Sequence, residues 1–154
     1  MIDAPRIIQV QDQLTAVIHL VIPRSEIQTV MAPGRGELQA TLAAQHIVPS
    51  GPWFSHHFRM HPDTFDFEIG LPVPSPVVAA GRVTASHLPA ALVARTIFRG
   101  PYMALGGAWG EFDQWLRDNG HVMRAELWES YIVGPESGAD PASFQTELTR
   151  PLVT

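Results

Sequence analysis

The sequence predicts an α+β fold: a tandem, pseudo-symmetric β-α-β-β repeat whose strands form an antiparallel sheet, with both helices on one face and a ligand cleft between the halves. Three observations lead there. First, "GELQATLAAQHIV" at 36–48 aligns with "GEFDQWLRDNGHV" at 110–122: Gly, Glu, a large apolar residue, a Leu four further on and a closing Val coincide at an offset of 74 residues. Second, "TFDFEIGLPV" at 64–73 aligns with "SFQTELTRPL" at 143–152 at an offset of 79, pairing Phe65 with Phe144, Glu68 with Glu147, Ile69 with Leu148 and Pro72 with Pro151. The five extra residues fit the longer turn "GPESGADPA" at 134–142, which stands where the first half has only "RMHPD" at 59–63. Third, the halves, about 1–73 and 82–154, give the same order of elements on either side of a linker near 74–82.

In the first half, "LTAVIHLVI" at 14–22 is apolar and rich in β-branched residues, which suits a strand. Segment 23–33 reads as a loop or a short helical turn. A helix starts near Pro33, with Leu38, Leu42 and Ile47 toward its apolar side, and strands at 52–59 and 64–71 complete the unit. In the second half, "AALVARTIF" at 90–98 is the strand, and Gly100-Pro101 ends it with proline set for the first helical turn. The helix, 102–118, places Leu105, Trp109, Phe112 and Leu116 on one face, and Asn119-Gly120 stops it. Gly106-Gly107 is unusual inside it, since each Gly costs a helix about 1 kcal/mol relative to Ala. Strands near 123–133 and 143–149 follow, joined by the Gly/Pro/Ser/Asp turn.

A chain of 154 residues is one domain's worth and buries roughly two thirds of its unfolded surface without a staple. It has no cysteine, so thiol chemistry and disulfides are excluded. No uncharged apolar run approaches ~18 residues and the start "MIDAPRIIQV" carries an early acid, so no signal peptide or membrane span is expected and a cytoplasmic location is. The net charge is −5, and the ten basic residues are all Arg, scattered singly. Phosphate backbones require a positive stripe, so direct nucleic-acid binding is not expected.

One short stretch is chemically odd. "LWESYIV" at 127–133 is a strand, apolar and aromatic apart from Glu129 at its centre. Period-two alternation places Leu127, Glu129, Tyr131 and Val133 on one face and Trp128, Ser130 and Ile132 on the other. An unpaired buried carboxylate costs several kcal/mol or takes a raised pKa. The residues alone therefore leave two readings: a carboxylate on an open, wet face, bonded to water or to an Arg, or a carboxylate in a pocket. The 74-residue offset carries Glu129 onto Ser55 and Tyr131 onto His57, so Trp53, Ser55 and His57 face the same cleft from the other half, while Phe54, His56 and Phe58 point toward the helices or solvent. Tyr102, at the start of the second helix, is placed to lean over the end of the sheet. Trp109, Trp115 and Trp128 read first as core, Trp109 being the one of them nearest a ligand.

His56, His57 and His61 invite a metal, but neighbours on a strand point to opposite faces, and neither Cys nor an H-E-x-x-H pair is available, so no metal and no cofactor is predicted. "GRG" at 34–36 and "GG" at 106–107 lack the frame of a phosphate loop, and "GPESG" at 134–138 is not a Gly-x-Ser-x-Gly elbow.

"FRGPYMALGGAWGEFDQWLRDNG" at 98–120, "LWESYIVGP" at 127–135 and "FQTELTRPL" at 144–152, with "GPWFSHHF" at 51–58 and "DFEIGLPV" at 66–73 in the first half, resemble the gyrase-inhibitor-like small-molecule-binding family, which includes the effector-binding domains of AraC-type and MerR-type multidrug regulators. The order and spacing of Gly-Pro-Tyr, Trp-Leu, Glu-x-Tyr and Thr-Glu-x-x-x-Pro carry the resemblance across nearly the whole chain. It implies a cleft between the halves lined by aromatics around one acidic residue, which by motif is Glu129. His56-His57 stands where members commonly have Arg-Tyr, so ligand preference does not transfer.

The expectation is thus a small-molecule-binding protein that takes apolar, cationic or electrophilic compounds through Glu129, Tyr131, Tyr102, Trp53, Ser55, His57 and Trp109, since aromatic faces and a desolvated carboxylate both attract cations. No DNA-binding helix-turn-helix fits within the chain, so a sensor or sequestering role is expected, with a separately encoded transcription regulator or a second copy as partner. Some relatives hydrolyse strained electrophiles; in that alternative Glu129 is the general base and Tyr131 or Tyr102 positions or protonates the substrate. A protein-binding module of gyrase-inhibitor type is the third reading.

Overall fold

The computed structural model describes residues 2–154, apart from the side chain of Met60. It is α+β, with eight strands that pair antiparallel and two long helices. The strands are β1 (Arg6–Val10), β2 (Gln13–Pro23), β3 (Phe54–Met60), β4 (Thr64–Pro72), β5 (Thr84–Leu88), β6 (Ala91–Arg99), β7 (Leu127–Val133) and β8 (Gln145–Pro151). Helix α1 spans Ile27–Ala44 and α2 spans Leu105–Asp118, each entered through a single 3-10 turn. The chain divides into two compact units, residues 11–90 and residues 1–10 with 91–154.

Within the first unit the strand order is β3-β4-β2-β5; within the second it is β7-β8-β6-β1. Their registers match pair for pair. Ser55 lies opposite Ile69 and His57 opposite Phe67, as Glu129 lies opposite Leu148 and Tyr131 opposite Thr146. Both ladders are interrupted at the equivalent place, between His57 and Arg59 and between Tyr131 and Val133. β5 pairs with β2 as β1 pairs with β6: Thr84 faces Val17 and Arg6 faces Arg95. Each short strand thus pairs in the unit that does not contain the strand directly after it in the chain.

The helical repeat is equally regular. Leu38 and Leu42 of α1, and Phe112 and Leu116 of α2, are all at most 1% exposed. Fixed spacing of four puts each pair on one helical face, and burial of that face against the sheet supplies most of a helix's stability. α1 has 18 residues and α2 has 14, so the difference is one extra helical turn, and it lies before the aligned Gly-Glu segment. α1 consequently begins at Ile27 rather than near Pro33, and Pro33 sits inside it. In the second unit Ala108, Phe112 and Leu116 pack on Ala94, Phe98, Leu148 and Leu152 to form its core.

Candidate functional site

Glu129 stands in β7 directly opposite Leu148 of β8, and Leu148 belongs to the core beneath α2. The alternation of β7 therefore turns Glu129 and Tyr131 toward the helix, and α2 answers with Trp109. The Trp109 indole Nε1–H donates to Glu129 Oε2 at 2.7 Å, and the Tyr131 hydroxyl donates to Glu129 Oε1 at 2.9 Å. The carboxylate is half-buried and Tyr131 is buried. Tyr102, from the 3-10 turn ahead of α2, packs edge-on to Tyr131 with ring centroids 5.6 Å apart and on Phe144 at 5.2 Å. Four of the expected site residues, Glu129, Tyr131, Tyr102 and Trp109, are thus brought into one cluster by two bonds and a chain of ring contacts.

A charged pair that the sequence reading passed over lies under the same helix. Arg150 alternates with Thr146 and Leu148 on β8, and its guanidinium carbon is 6.0 Å from the centroid of the Trp109 ring. Its Nη1 is 3.9 Å from Oδ1 of Asp113, one helical turn beyond Trp109. Burial pushes the Asp113 carboxyl up and the Arg150 guanidinium down, and each charge partly counters the other's shift. Among the described residues, Arg150 Nε and Asp113 Oδ1 have no hydrogen-bond partner. The period of two from Phe144 to Arg150 was the available signal.

In the other unit, Trp53, Ser55 and His57 are all buried. Ser55 and His57 share a face with Ile69 and Phe67, and Ile69 packs against Gly34 of α1, so this face lies under the helix. Phe54 and His56 turn to the opposite face and are also buried; the expectation that they point toward the helices or solvent is corrected, because α1 covers the face it was thought to leave open. Trp53 has the Arg35 guanidinium 5.4 Å from its ring centroid. His57 stacks on Phe67 at 4.9 Å with rings within 6° of parallel and meets Phe65 edge-on at 5.2 Å. Its Nδ1 has no hydrogen-bond partner among the described residues, and burial first, then the charges of His56 and Arg24, lower its pKa to about 4. It is a neutral ring at physiological pH. No group of three His, Asp or Glu among the described residues is placed to hold a metal ion, and no described helix is long and apolar enough to cross a membrane.

The GyrI-like small molecule binding domain model matches residues 3–153. The chain belongs to this family. Its structure is similar to the C-terminal domain of EcmrR, with a TM-score of 0.84 and 21% identity over 98% of each chain. Against the EcmrR chain captured in a DNA complex, it spans only 57% of that chain's length. A hydrolase from Listeria innocua shares the fold at a TM-score of 0.68 and 13% identity, over 97% of this chain and 91% of that one. So does SAV2435, solved bound to tetraphenylphosphonium, at 0.62 and 12% over 98% and 94%. Among curated proteins, none is matched. The likeness to these structures is one of fold, and the family model describes a small-molecule-binding domain.

Proposed function

We propose that this domain binds small apolar cations around Glu129, as the effector-sensing or sequestering part of a regulatory system. One observation carries the reading: a half-buried carboxylate is oriented by an indole N–H and a phenol O–H, with Tyr102, Tyr131 and Phe144 packed alongside. These two bonds fix the direction in which the carboxylate points. A carboxylate held in this way attracts a ligand cation, and apolar groups on that cation are matched by the rings. The tetraphenylphosphonium complex of SAV2435 supports a lipophilic cation as the ligand class, and the EcmrR–DNA complex supports a regulatory setting.

The test is a calorimetric or tryptophan-fluorescence titration with tetraphenylphosphonium and a panel of aromatic ammonium ions. Glu129→Gln should weaken binding by about 1.5–3 kcal/mol, the scale of a contact to a charged group. Equal affinity of wild type and variant across the panel would remove Glu129 from the site. The Tyr131–Glu129 bond also favours a second reading, hydrolysis of electrophilic compounds with Glu129 as general base and Tyr131 as the positioning acid. The fold shared with a hydrolase supports it. Turnover of an activated epoxide or cyclopropane that Glu129→Gln abolishes would select that reading over binding alone.

A further inference from the structure

We infer that Arg150 and Asp113 are positioning residues of the ligand site: as an ion pair between β8 and α2, they hold the Trp109 indole in the orientation that donates to Glu129. This rests on Trp109 and Glu129 belonging to the proposed site, and it adds to that site two residues that act through the indole. The bond they govern runs from Trp109 Nε1–H to Glu129 Oε2 at 2.7 Å. Nε1–H is the one polar group of an indole, so the bond forms only while both the ring plane and the rotation of α2 about its axis are held. The first turns of α2 hold themselves weakly. Among the described residues Ala108 is the only one of α2 buried ahead of Phe112, no side chain caps the helix start, and Gly106, Gly107 and Gly110 bring no side chain to the contact.

The pair supplies that hold from the sheet side. Arg150 follows Leu148 at a spacing of two on β8, so it lies on the face that α2 covers. Its guanidinium carbon is 6.0 Å from the Trp109 ring centroid, and the Phe112 ring is 5.7 Å away and tilted by 34°. Asp113 stands four residues after Trp109, one turn along the same side of the helix, with Oδ1 3.9 Å from Arg150 Nη1. One guanidinium therefore meets two consecutive turns of α2, a ring on the first and a carboxylate on the second. The side chains of Arg150 and Asp113 are 12% and 24% exposed, so little water screens the attraction between them.

Fold stability does not account for the pair. Burial disfavours both charges, shifting Asp113 up and Arg150 down, and among the described residues neither Arg150 Nε nor Asp113 Oδ1 has a hydrogen-bond partner. An apolar pair of similar volume would avoid that cost. The other unit shows the alternative. The offsets that align the two helices and that align β4 with β8 carry Asp113 onto Gln39 and Arg150 onto Leu71, and Leu71 is only 4% exposed. The same strand-and-helix frame thus closes without an ion pair at this place in the unit where Ser55 stands as the equivalent of Glu129. The unit that carries the carboxylate and its indole donor is the one that carries the pair.

The experiment transplants those residues: Arg150→Leu with Asp113→Gln, in the full chain, removes both charges together and strands neither. The readouts are the Trp109 indole N–H resonance in heteronuclear NMR spectra, assigned by its loss in Trp109→Phe, and calorimetric titration with tetraphenylphosphonium. In the double variant the resonance should move upfield toward its position in Glu129→Gln, its hydrogen exchange should quicken by at least ~10-fold, and the dissociation constant should rise by at least ~5-fold. In a Trp109→Phe background the same two substitutions should change the affinity by less than ~2-fold, a non-additivity that a merely structural pair would not produce. An indole resonance that stays in place in the folded double variant overturns the inference, as does an affinity loss of equal size with and without Trp109. If the double variant does not fold, Arg150→Lys, which keeps the charge facing Asp113 and removes the planar guanidinium beside the ring, should displace the resonance in the same direction, and no displacement there overturns the inference. Failure of the cation-binding reading looks different: tetraphenylphosphonium affinity is then indifferent to Glu129→Gln, while the indole resonance still answers to Arg150 and Asp113.

Discussion

Replacing Glu129 by Gln tests what the carboxylate does for the fold, separately from what it does for a ligand. The amide can be accommodated in one orientation only. Trp109 Nε1–H is a pure donor, so the single remaining oxygen must turn to it, which leaves the NH2 group facing the Tyr131 hydroxyl, a group able to accept as well as donate. Both hydrogen bonds survive in number, but each changes from charge-assisted to neutral. Taking bonds to charged groups at about 1.5–3 kcal/mol and neutral ones at about 1 kcal/mol, the loss is about 1 kcal/mol per bond and about 2 kcal/mol together. Against it stands the relief of a half-buried charge, a fraction of the several kcal/mol that full burial costs, here about 1–2 kcal/mol. For these two bonds and the relieved charge, the terms nearly cancel. The expected result is a stability within about 1 kcal/mol of wild type, a shift in Tm of no more than about 4 °C for a chain of this size, read by circular dichroism and confirmed by urea midpoint at unchanged m-value. A loss above about 3 kcal/mol would refute the reasoning, because only an ion stranded in the fold by removal of its counter-charge costs so much.

Two further outcomes follow from the same structure. His57 titrates at about 4 when folded against 6.5 when unfolded, so the unfolded chain takes up the proton first: stability is full above pH 6.5 and declines as pH falls to about 4, by at most about 3 kcal/mol at 1.36 kcal/mol per pH unit. His57→Leu should flatten that part of the stability profile relative to wild type; the raised Asp113 acts in the opposite direction, so the difference between the two proteins, not the wild-type slope, is the measurement, and identical slopes would exclude a buried neutral His57. Gly107→Ala should stabilise by about 1 kcal/mol and raise Tm by about 2–4 °C, whereas Gly34→Ala should lower it, because a Cβ at Gly34 runs into Ile69 in a packed core and overpacking costs about 1–3 kcal/mol. Equal effects at the two glycines would mean that α1 is not held as closely to its sheet as the structure has it.

How much of this was legible depended on whether the information was local. The repeat was, and it placed β2, β3, β4 and the cores of both helices, since Leu38, Leu42, Phe112 and Leu116 advertise their burial by a spacing of four. β1 and β5 were not: each has five residues, and what makes each a strand is the partner it meets, β6 in one case and β2 in the other, rather than any pattern of its own. Pro33 misled through a rule that is right more often than wrong. Proline suits a first helical turn, but here α1 carries it seven positions in, on an exposed side where the lost N–H bond to the preceding turn can be left to water.

The site divides along the same line. Glu129 stood out because a carboxylate in "LWESYIV" contradicts its surroundings, and a contradiction can be read from seven residues. Its donors could not be read that way: Trp109 falls on the apolar stripe of α2, so helical periodicity assigns it to packing, and only the docking of α2 over β7 and β8 shows the nitrogen end of that packing ring turned to the carboxylate. Arg150 was hidden for a related reason, as an Arg next to the end of a strand is ordinarily solvated, whereas the alternation from Phe144 through Leu148 carries this one inward beneath Trp109. Where one residue serves both a core and a site, a pattern of burial reports the core and conceals the site. Trp109 is such a residue, and its substitution by Phe, which keeps the packing and deletes the donor, separates the two roles that the sequence had merged.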